Sequence, residues 1–515
     1  MIKKFLDKLL GKPAKKTAVT SSLGKRVEVP KSEHQIDPGL VDERASKVVQ
    51  TLVDGGFEAY IVGGAVRDLL LGLRPKDFDV ATNATPEQVK SLFRRAFIIG
   101  RRFRIVHVVF GRGRQDRGLS EVIEVSTFRA LMDPAAAEQT TGNEKTLKGE
   151  RGGRDASASH VVDAEGRVLR DNVWGPQIED AARRDFTVNA MYYDPVREVV
   201  VDYHGGIKDA KKKLLRMIGD PEIRYREDPV RIIRAVRFAA KLGFEIEPKT
   251  RSPIQAMSTL LENVPPSRLF DEMIKLLQTG HSLASIDELR KQGLHQGTFP
   301  VLDTLLDESR GSAAHRKFVG LAMADTDRRV SEGKPVAPSF MLACMFWHDV
   351  QLQWDRLKKQ GEPTFPALQQ AVEAIFDARI GDISGRGKLG GDMREIWLMQ
   401  PRFERRTGNA PFSLVEQPRF RAGFDFLRLR ADAGEAPDEL ARWWEDFSLA
   451  DEDERIRLMD DAKVQDGKRS AQSRSPAVVG EAPPLADPAK KRRRRRRKPA
   501  DAGSAAPADG NAEAV

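Results

Sequence analysis

Two aspartates separated by one residue, Asp77 and Asp79, are the side chains whose spacing most directly suggests chemistry in this 515-residue sequence. They lie in the run Asp-Phe-Asp-Val. Alternate residues of a β-strand point to the same side, so both carboxylates would project together while Phe78 and Val80 enter the core. A divalent cation between them would remove their mutual repulsion. The pattern therefore predicts a metal site, although alternating charge is also typical of a solvated strand.

A pair of glycines, Gly63-Gly64, follows the short apolar run Tyr60–Val62 and precedes an amphipathic segment, Val66–Leu71. A turn without side chains between a strand and a helix lets backbone N–H groups approach a phosphate, and the helix N-terminus adds positive potential. A phosphate-binding turn followed by paired carboxylates is the combination that nucleotidyl transfer requires.

Residues 61–82, IVGGAVRDLLLGLRPKDFDVAT, resemble the head signature of the nucleotidyltransferase class that contains bacterial poly(A) polymerases and tRNA CCA-adding enzymes. The resemblance implies an α+β, polymerase-β-like head with a small mixed sheet, followed by all-α neck and body domains and disordered basic tails. It also implies that Asp77 and Asp79 hold two Mg²⁺ ions, with Mn²⁺ as the alternative metal. Gly63, Gly64 and Arg67 would contact the substrate ATP.

A further acid is expected, and two residues are candidates for it. Glu124 lies between Ile123 and Val125 in a strand-like run, where the resemblance places a third carboxylate; its alternative is an outward-facing strand glutamate. Asp185 lies in ARRDFTVNAM, residues 182–191, which the resemblance associates with the sugar of the incoming nucleotide. A helix there would bring Arg184, Asp185 and Asn189 within one turn. Otherwise, Arg184 and Asp185 would only tie the sheet to the helical part of the chain.

The stretch Tyr225–Phe244 contains the run Glu-Asp-Pro-Val-Arg, which resembles the EDxxR motif of the same family. In that motif an aspartate and an arginine, here Asp228 and Arg231, imitate a base edge and select the nucleotide by hydrogen bonds. Arg234, one turn further on, is assigned to the same nucleotide site. The simpler alternative is that Asp228 only caps a helix with Pro229 at its first position.

Basic residues predict contacts with RNA in four places. Arg101 and Arg102 lie in IGRRFRIVHV, a run that resembles poly(A) polymerases rather than CCA-adding enzymes, and Lys211 and Lys212 lie in a basic helix. Residues 400–430 alternate Arg with Phe, which fits either base stacking or a helical core. The fourth place is a basic arm near the end of the chain, consisting of Lys490, Lys491, Arg492, Arg493, Arg494, Arg495, Arg496, Arg497 and Lys498.

The net charge of +10 is concentrated at the two ends of the chain. Residues 1–35 contain nine Lys/Arg against three Asp/Glu, and residues 463–515 contain thirteen against six, which leaves −3 for the remainder. Flexible basic arms suit a polyanionic partner. The predicted organisation is a disordered arm (1–35), a head (36–175, with a mobile insertion at 131–170), a neck that selects nucleotide and binds RNA (176–265), a helical body (266–462) and a second disordered arm (463–515).

Composition and motifs exclude several other classes of protein. The single cysteine, Cys344, rules out disulfides and Cys-based zinc sites and indicates a reducing compartment, taken to be the cytoplasm. The sequence has no transmembrane-length apolar run and no GxxxxGK[ST] loop. His348-Asp349 lacks the further ligands that a phosphohydrolase metal site needs.

The resemblance thus implies template-independent addition of AMP from ATP to RNA 3′ ends, with release of pyrophosphate and a role in RNA processing and decay. Partners would be RNA 3′ ends, ATP, and RNA-degradation or RNA-chaperone proteins. A tRNA CCA-adding enzyme shares every head motif and stays as the alternative. A noncatalytic RNA-binding protein with a relic head is the alternative from another class.

Overall fold

A computed structural model gives the fold of most of the chain. It describes residues 23–100, 104–111, 121–131, 138–139, 160–162, 168–171, 173–294, 299, 302, 312–334, 336–383 and 387–472. The chain comprises two compact units, Met1–Met459 and Asp460–Val515. Among the described residues, no helix is both long and apolar enough to span a bilayer.

Strands are concentrated in the first half of the chain. In chain order they are β1 (Val27–Pro30), β2 (Ala59–Val62), β3 (Asp79–Thr82), β4 (Ala96–Ile99), β5 (Ile105–Phe110), β6 (Glu121–Thr127), β7 (Glu138–Gln139), β8 (His160–Val162), β9 (Val168–Asp171), β10 (Met191–Asp194), β11 (Val199–Asp202), β12 (Leu214–Leu215) and β13 (Glu245–Ile246).

Helices separate the early strands and make up the second half of the chain. They are α1 (Lys31–His34), α2 (Glu43–Asp54), α3 (Gly64–Leu70), α4 (Pro86–Leu92), α5 (Gln177–Arg183), α6 (Gly206–Lys211), α7 (Pro221–Glu227), α8 (Val230–Leu242), α9 (Pro248–Arg251), α10 (Pro266–Gln278), α11 (Ser282–Lys291), α12 (Ala313–Ser331), α13 (Pro338–Lys359), α14 (Thr364–Ile383), α15 (Gly387–Met399), α16 (Ala410–Val415), α17 (Phe420–Ala433), α18 (Asp438–Leu449) and α19 (Glu452–Gln472).

Eight strands form one mixed sheet in the order β1-β11-β10-β2-β3-β6-β5-β4. Only the central pair β3 and β6 is parallel, and the other neighbours are antiparallel. The α+β class and the mixed sheet are therefore as expected, but the sheet is larger than expected. Strands β10 and β11 belong to this sheet, although they lie within the residues predicted to be neck. They were not predicted as strands, because each has only four residues and they follow closely on the motif at 182–191.

The two faces of the sheet pack differently. On one face, Val80, Val106 and Val125 join a core with residues of α2, α3 and α4. On the other face, α5 covers only the part formed by β2, β3, β10 and β11, where Tyr60 and Tyr192 pack with Ala181. Period-2 alternation along each strand produces both faces.

The predicted disordered arm at residues 1–35 is wrong from Val27 onwards. Val27–Pro30 forms β1 and pairs in antiparallel register with β11, so that Val29 lies opposite Val200. Its polar composition reflects an edge strand with mostly exposed side chains. Residues 1–22 lie outside the described residues. The predicted second disordered arm, 463–515, is wrong over 463–472, because these residues continue helix α19. Residues 473–515 lie outside the described residues.

The predicted mobile insertion at residues 131–170 contains three short strands. Strands β7, β8 and β9 pair in a small separate sheet, and the rest of the insertion lies outside the described residues. Short alternating runs such as His160–Val162 were too brief to predict as strands.

The neck and body helices share one continuous apolar core. It extends from Phe186 through Val236 and Trp347 to Phe426. The phenylalanines of residues 400–430 pack inward: Phe403 and Phe426 are fully buried, and Phe403 lies edge-on to Trp444 at 5.1 Å between ring centroids. Of the two interpretations of residues 400–430, the helical core is therefore the one that the structure supports, and these rings are not available to stack on RNA bases.

Candidate active site

The Gly63-Gly64 turn lies beside Asp79 because strands β2 and β3 pair antiparallel, with Val62 opposite Asp79. Gly63 has φ +77° and ψ −130°, a conformation that only glycine adopts without strain. Helix α3 begins directly after it at Gly64. The glycine turn, the start of a helix and a carboxylate are thus brought together at one end of the sheet.

A cleft of about 920 Å³ opens between the head and the helices α8 and α10, and the junction of α7 and α8 lies at its wall. All of the catalytic and nucleotide-binding residues predicted from sequence except Glu124 line this one cleft. They are Gly63, Gly64, Arg67, Asp77, Asp79, Arg184, Asp185, Asn189, Asp228, Arg231 and Arg234. A smaller cavity of about 320 Å³ adjoins it and shares Asp79 and Arg184 with it.

The two aspartates both face the cleft, although only Asp79 belongs to the strand. Asp77 lies in the loop just before β3, which corrects the prediction of one strand through Asp-Phe-Asp-Val, and Phe78 is buried as expected. Both carboxylates reach solvent in the cleft. Partial burial and the negative charges of Glu124 and Asp77 raise the pKa of Asp79 to about 6, against the opposing effect of Arg184.

This donor set fits a divalent cation. Within the described residues, the carboxylates of Asp77 and Asp79 accept no hydrogen bond and form no salt bridge, and the repulsion felt by Asp79 is what a cation would relieve. No group of three or more His, Cys, Asp or Glu side chains within the described part of the chain is arranged to hold a metal. Mg²⁺ needs only one or two carboxylates when phosphates and water complete its shell.

Glu124 lies next to Asp79 on the neighbouring parallel strand β6. Directly opposite residues share a face, so the two carboxylates project from the same side of the sheet. Glu124 lines the smaller cavity with Asp79, and its Oε1 lies 3.3 Å from Nε2 of His107 on β5.

Asp185 occupies a different environment, because both of its carboxylate oxygens already accept hydrogen bonds. Oδ1 accepts from the Phe186 N–H at 2.8 Å and from the Asn189 side chain at 3.1 Å. Oδ2 accepts from Nε and Nη2 of Arg234 at 2.9 and 2.6 Å. Burial alone would raise the pKa of Asp185, but the Arg234 charge and these hydrogen bonds outweigh it and lower the pKa to about 2.

The predicted helix over residues 182–191 is wrong. Helix α5 ends at Arg183, and a short 3₁₀ turn, Thr187–Asn189, follows. The break has a clear cause: the Arg224 guanidinium from α7 donates to the carbonyls of Arg183 and Arg184 at 2.5 and 2.7 Å and so terminates the helix. Asp185 and Asn189 nevertheless meet, as the predicted spacing required.

A hydrogen-bonded chain of four side chains links α3 to the neck helix α8. Nη1 of Arg67 donates to Asn189 Oδ1 at 2.6 Å, Asn189 donates to Asp185, and Asp185 accepts from Arg234. Arg67 is buried and also donates to Asp68. We call this set, Arg67, Asn189, Asp185 and Arg234, the head–neck relay; it fixes the glycine turn relative to α8.

Arg184 lines both cavities, and its guanidinium is fixed by two neighbouring side chains. Its guanidinium pairs with Asp180 at 3.1 Å and lies over the Tyr192 ring. Burial would lower the pKa of Arg184, but Tyr192 and Asp180 raise it above its ordinary value. A Cβ on Gly63 would lie 3.4 Å from Nη1 of Arg184, so the turn and this arginine are already in close contact.

Asp228 and Arg231 both face the cleft from the junction of α7 and α8. Asp228 is the C-cap of α7, its carboxylate makes no capping bond, and α8 begins after Pro229. The alternative that Asp228 serves only as a helix cap therefore does not hold. Its carboxylate pairs instead with Arg268 at 3.1 Å, and Arg231 Nη1 donates to Glu227 at 3.0 Å.

Several cleft residues were not predicted. Lys76, Lys241 and Lys275 line the same cleft, and Arg237 lies over the Phe238 ring at 4.6 Å. The three-residue spacing of Arg231, Arg234 and Arg237 was a usable signal for one basic helix face. The lysines lie on separate elements and left no pattern in the sequence.

Some predicted RNA-binding residues lie elsewhere. Lys211 and Lys212 are exposed and line a separate groove of about 490 Å³ with Lys25 and Lys208, beside β1. Arg101, Arg102 and the arm Lys490–Lys498 lie outside the described residues.

An α+β head whose glycine turn and acidic pair meet at one sheet end, followed by a helical neck and body, defines a nucleotidyltransferase. Family models match three parts of the chain: the poly A polymerase head domain over residues 59–216, the probable RNA and SrmB-binding site of polymerase A over 243–306, and the polymerase A arginine-rich C-terminus over 360–499.

Full-length relatives agree with these matches. The chain is 39% identical to poly(A) polymerase I of Salmonella typhi over 449 residues, which cover 87% of this chain and 91% of that one. It is 41% identical to poly(A) polymerase I of Haemophilus influenzae, with 87% and 93% covered. A CCA-adding enzyme of Bacillus velezensis is 30% identical over 63% of this chain and 77% of that one. The chain belongs to the bacterial poly(A) polymerase family, which confirms the resemblance stated from sequence.

Proposed function

We propose that this enzyme transfers AMP from ATP to the 3′ ends of RNA without a template and releases pyrophosphate. The observation that carries the proposal is the single cleft into which the glycine turn, the paired aspartates and the Asp228–Arg231 junction all face. The relatives support polyadenylation over CCA addition, since the poly(A) polymerases match a larger share of the chain than the CCA-adding enzyme does.

The phosphate end of ATP would bind at the Gly63-Gly64 turn. Gly63, Gly64 and Ala65 line the cleft where α3 begins, and the N-terminal end of a helix favours an anion. Arg184 keeps a full positive charge beside the turn. Basic residues around the cleft, including Lys76 and Lys241, add to the attraction for a triphosphate.

Asp77 and Asp79 would hold Mg²⁺, and Mn²⁺ could replace it. Two bound ions would activate the RNA 3′-hydroxyl and neutralise charge on the phosphates. Of the two candidates for the additional acid, Glu124 is better placed, because it lies on the strand beside Asp79 and projects from the same face. Asp185 is committed to Arg234 and acts as a positioning residue in the head–neck relay.

Adenine would be selected at the α7–α8 junction. Oδ2 of Asp228 accepts a hydrogen bond from Arg268 at 3.2 Å, and Oδ1 lies 3.1 Å from the same guanidinium. Asp228 is thus held at the cleft wall, where its carboxylate would accept from the exocyclic amine of adenine. Arg231 is held by Glu227 and by the Arg224 carbonyl at 2.8 Å. A fixed acceptor and a fixed donor can distinguish the base edge of ATP from that of CTP.

RNA would contact the neck and the basic tails, and residues 243–306 are the segment that resembles an RNA-binding and protein-binding region. Lys211, Lys212, Arg101, Arg102 and the arginine arm remain candidates for phosphate contacts. We place the enzyme in the cytoplasm, where it would act in RNA processing and decay beside RNA-degradation or RNA-chaperone proteins.

One assay tests the proposal against its alternatives. ATP or CTP is offered with a generic oligoribonucleotide and, in parallel, with tRNA lacking its CCA end. Long A-tails on the generic RNA are expected. Addition of C and A restricted to the tRNA would instead establish a CCA-adding enzyme, and no incorporation with either substrate would point to a noncatalytic RNA-binding protein.

A further inference from the structure

One part of the central sheet presents apolar side chains to solvent. On strands β4, β5 and β6, alternate residues such as Val106, Ile123 and Val125 are buried against the helices. On the opposite face, Phe97 is 57%, Ile99 43% and Val122 39% exposed. We call this face, made of Phe97, Ile99, Ile105, His107 and Val122, the sheet platform.

The platform leads directly to the catalytic carboxylate. Phe97 pairs with His107, His107 with Glu124, and Glu124 with Asp79, which places these four residues in one cross-strand row on the same face. Three strand spacings separate Phe97 from Asp79, or about 14 Å. That distance accommodates roughly four stacked nucleotides at about 3.4 Å each.

Arginines are located where this row meets the active site. The smaller cavity at that point is lined by Ile105 and by three arginines, Arg129, Arg183 and Arg184, which lie among the carboxylates of Asp79, Glu124 and Asp180. Apolar and aromatic groups followed by arginines are the combination that binds single-stranded nucleic acid, with bases stacking on rings and phosphates pairing with guanidinium groups.

We propose that the sheet platform binds the last nucleotides of the RNA acceptor, with bases stacked on Phe97 and His107 and the 3′-hydroxyl delivered beside Asp79. The proposal rests on the proposed function and adds the surface that holds the acceptor. It also separates the two substrates: ATP enters the large cleft on the glycine-turn side of Asp79, and RNA arrives across β4 to β6 from the other side.

Phe97→Ala in the full-length enzyme tests this surface. Removing one stacking ring is expected to raise KM for an oligoadenylate acceptor at least about fivefold, with KM for ATP and kcat at saturating RNA unchanged. Phe97→Tyr should restore the wild-type KM because it keeps the ring. Phe365→Ala, at a residue of α14 that is 40% exposed, is the matched control and should have no effect.

A binding measurement without ATP separates this proposal from the proposed function. An oligoadenylate with 2-aminopurine near its 3′ end should lose fluorescence on binding wild-type enzyme and Phe97→Tyr, but not Phe97→Ala. Equal quenching by Phe97→Ala and wild type would overturn the proposal. The proposal would also be overturned if Phe97→Ala lowered the thermal midpoint and left RNA binding unchanged. Phe97 would then pack against another part of the protein and not against RNA. Wild-type enzyme that quenches the probe but adds no AMP would refute only the proposed function.

Discussion

At the scale of single residues, the proposed chemistry depends on side chains that are electrostatically unfavourable in the free protein. Asp79 is repelled by Asp77 and Glu124, and its pKa is raised to about 6. A carboxylate in such surroundings contributes little to stability and is retained for binding.

Asp79→Asn should therefore reduce AMP transfer by at least about a thousandfold, which corresponds to about 4 kcal/mol of lost transition-state stabilisation. The thermal midpoint should not fall, because one of two mutually repelling charges is removed. Asp54→Asn, at an exposed helix end, should leave both quantities unchanged. A variant of Asp79 that retained activity would show that this side chain does not hold the metal.

The variant Gly63→Ala, compared with a control glycine, distinguishes the effect of backbone strain on stability from an effect on ATP binding. Alanine at φ +77° and ψ −130° should destabilise the head by roughly 1–3 kcal/mol, and its Cβ would lie 3.4 Å from Arg184. We expect a raised KM for ATP as well as a lower thermal midpoint. Gly56→Ala is the matched control: Gly56 also has positive φ, but its Cβ would meet nothing within 4 Å. If both variants raised KM for ATP equally, the glycine turn would have no specific role in binding.

At the scale of elements, the head–neck relay connects helix α8 to helix α3, which begins directly after the glycine turn. Asp185 is its central residue, and the ion pair with Arg234 is largely buried on the Asp185 side. Because α8 also carries Arg231, a displacement of α8 would change both binding and base selection.

Asp185→Asn should destabilise the protein by about 3 kcal/mol, since it leaves the Arg234 charge without its partner. The pKa of Asp185 is lowered to about 2, below that of an unfolded aspartate, so its stabilisation is present above about pH 4 and is lost as the pH falls towards 2. Thermal midpoints of wild type and variant should converge over that interval. Glu28→Gln, in an exposed pair with Arg26, should change stability by less than about 1 kcal/mol.

The packing of α12 against α13 includes a buried histidine pair. His315 stacks on His348 at 4.5 Å between ring centroids and is almost fully buried. Burial, with the nearby charges of His348 and Arg316, lowers the pKa of His315 to about 4. The folded protein therefore keeps His315 neutral at a pH where an unfolded histidine is protonated.

This histidine should make the body sensitive to acid. Stability contributed by neutral His315 is complete above about pH 6.5 and is lost as the pH falls towards 4, because only the unfolded chain takes up the proton. His315→Phe should reduce the fall in thermal midpoint between pH 7 and pH 5. His281→Gln, at an exposed histidine, should not. An identical pH dependence for His315→Phe and wild type would contradict this assignment.

At the scale of the whole molecule, positive charge is concentrated in the terminal segments. Deleting residues 463–515 should weaken RNA binding and flatten its dependence on salt, because fewer counterions are released, while AMP transfer at saturating RNA continues. Removing only residues 501–515 leaves the arginine arm and is the control. An unchanged salt slope after the larger deletion would mean that the tail makes no phosphate contacts.

The sequence predicted those parts of the site that are local. Gly63-Gly64, Asp77 and Asp79 follow one another within a short stretch, so strand and turn preferences were enough to bring them together. The link between Arg67, Asn189 and Arg234 could not be predicted in this way, because it depends on the packing of three distant segments. The helix predicted over residues 182–191 is wrong for the same reason: the last carbonyls of α5 accept hydrogen bonds from Arg224, forty residues further on.

Strand β1 also has a consequence for the order in which the molecule is assembled during synthesis. Val29 leaves the ribosome early, but its partner Val200 emerges only after nearly the whole head has been made. Until then the nascent N-terminus has no strand with which to pair, and pairing across so long a separation in sequence is slow. We expect late closure of this edge to be the slowest step in maturation of the head and the stage at which nascent chains are most prone to aggregate.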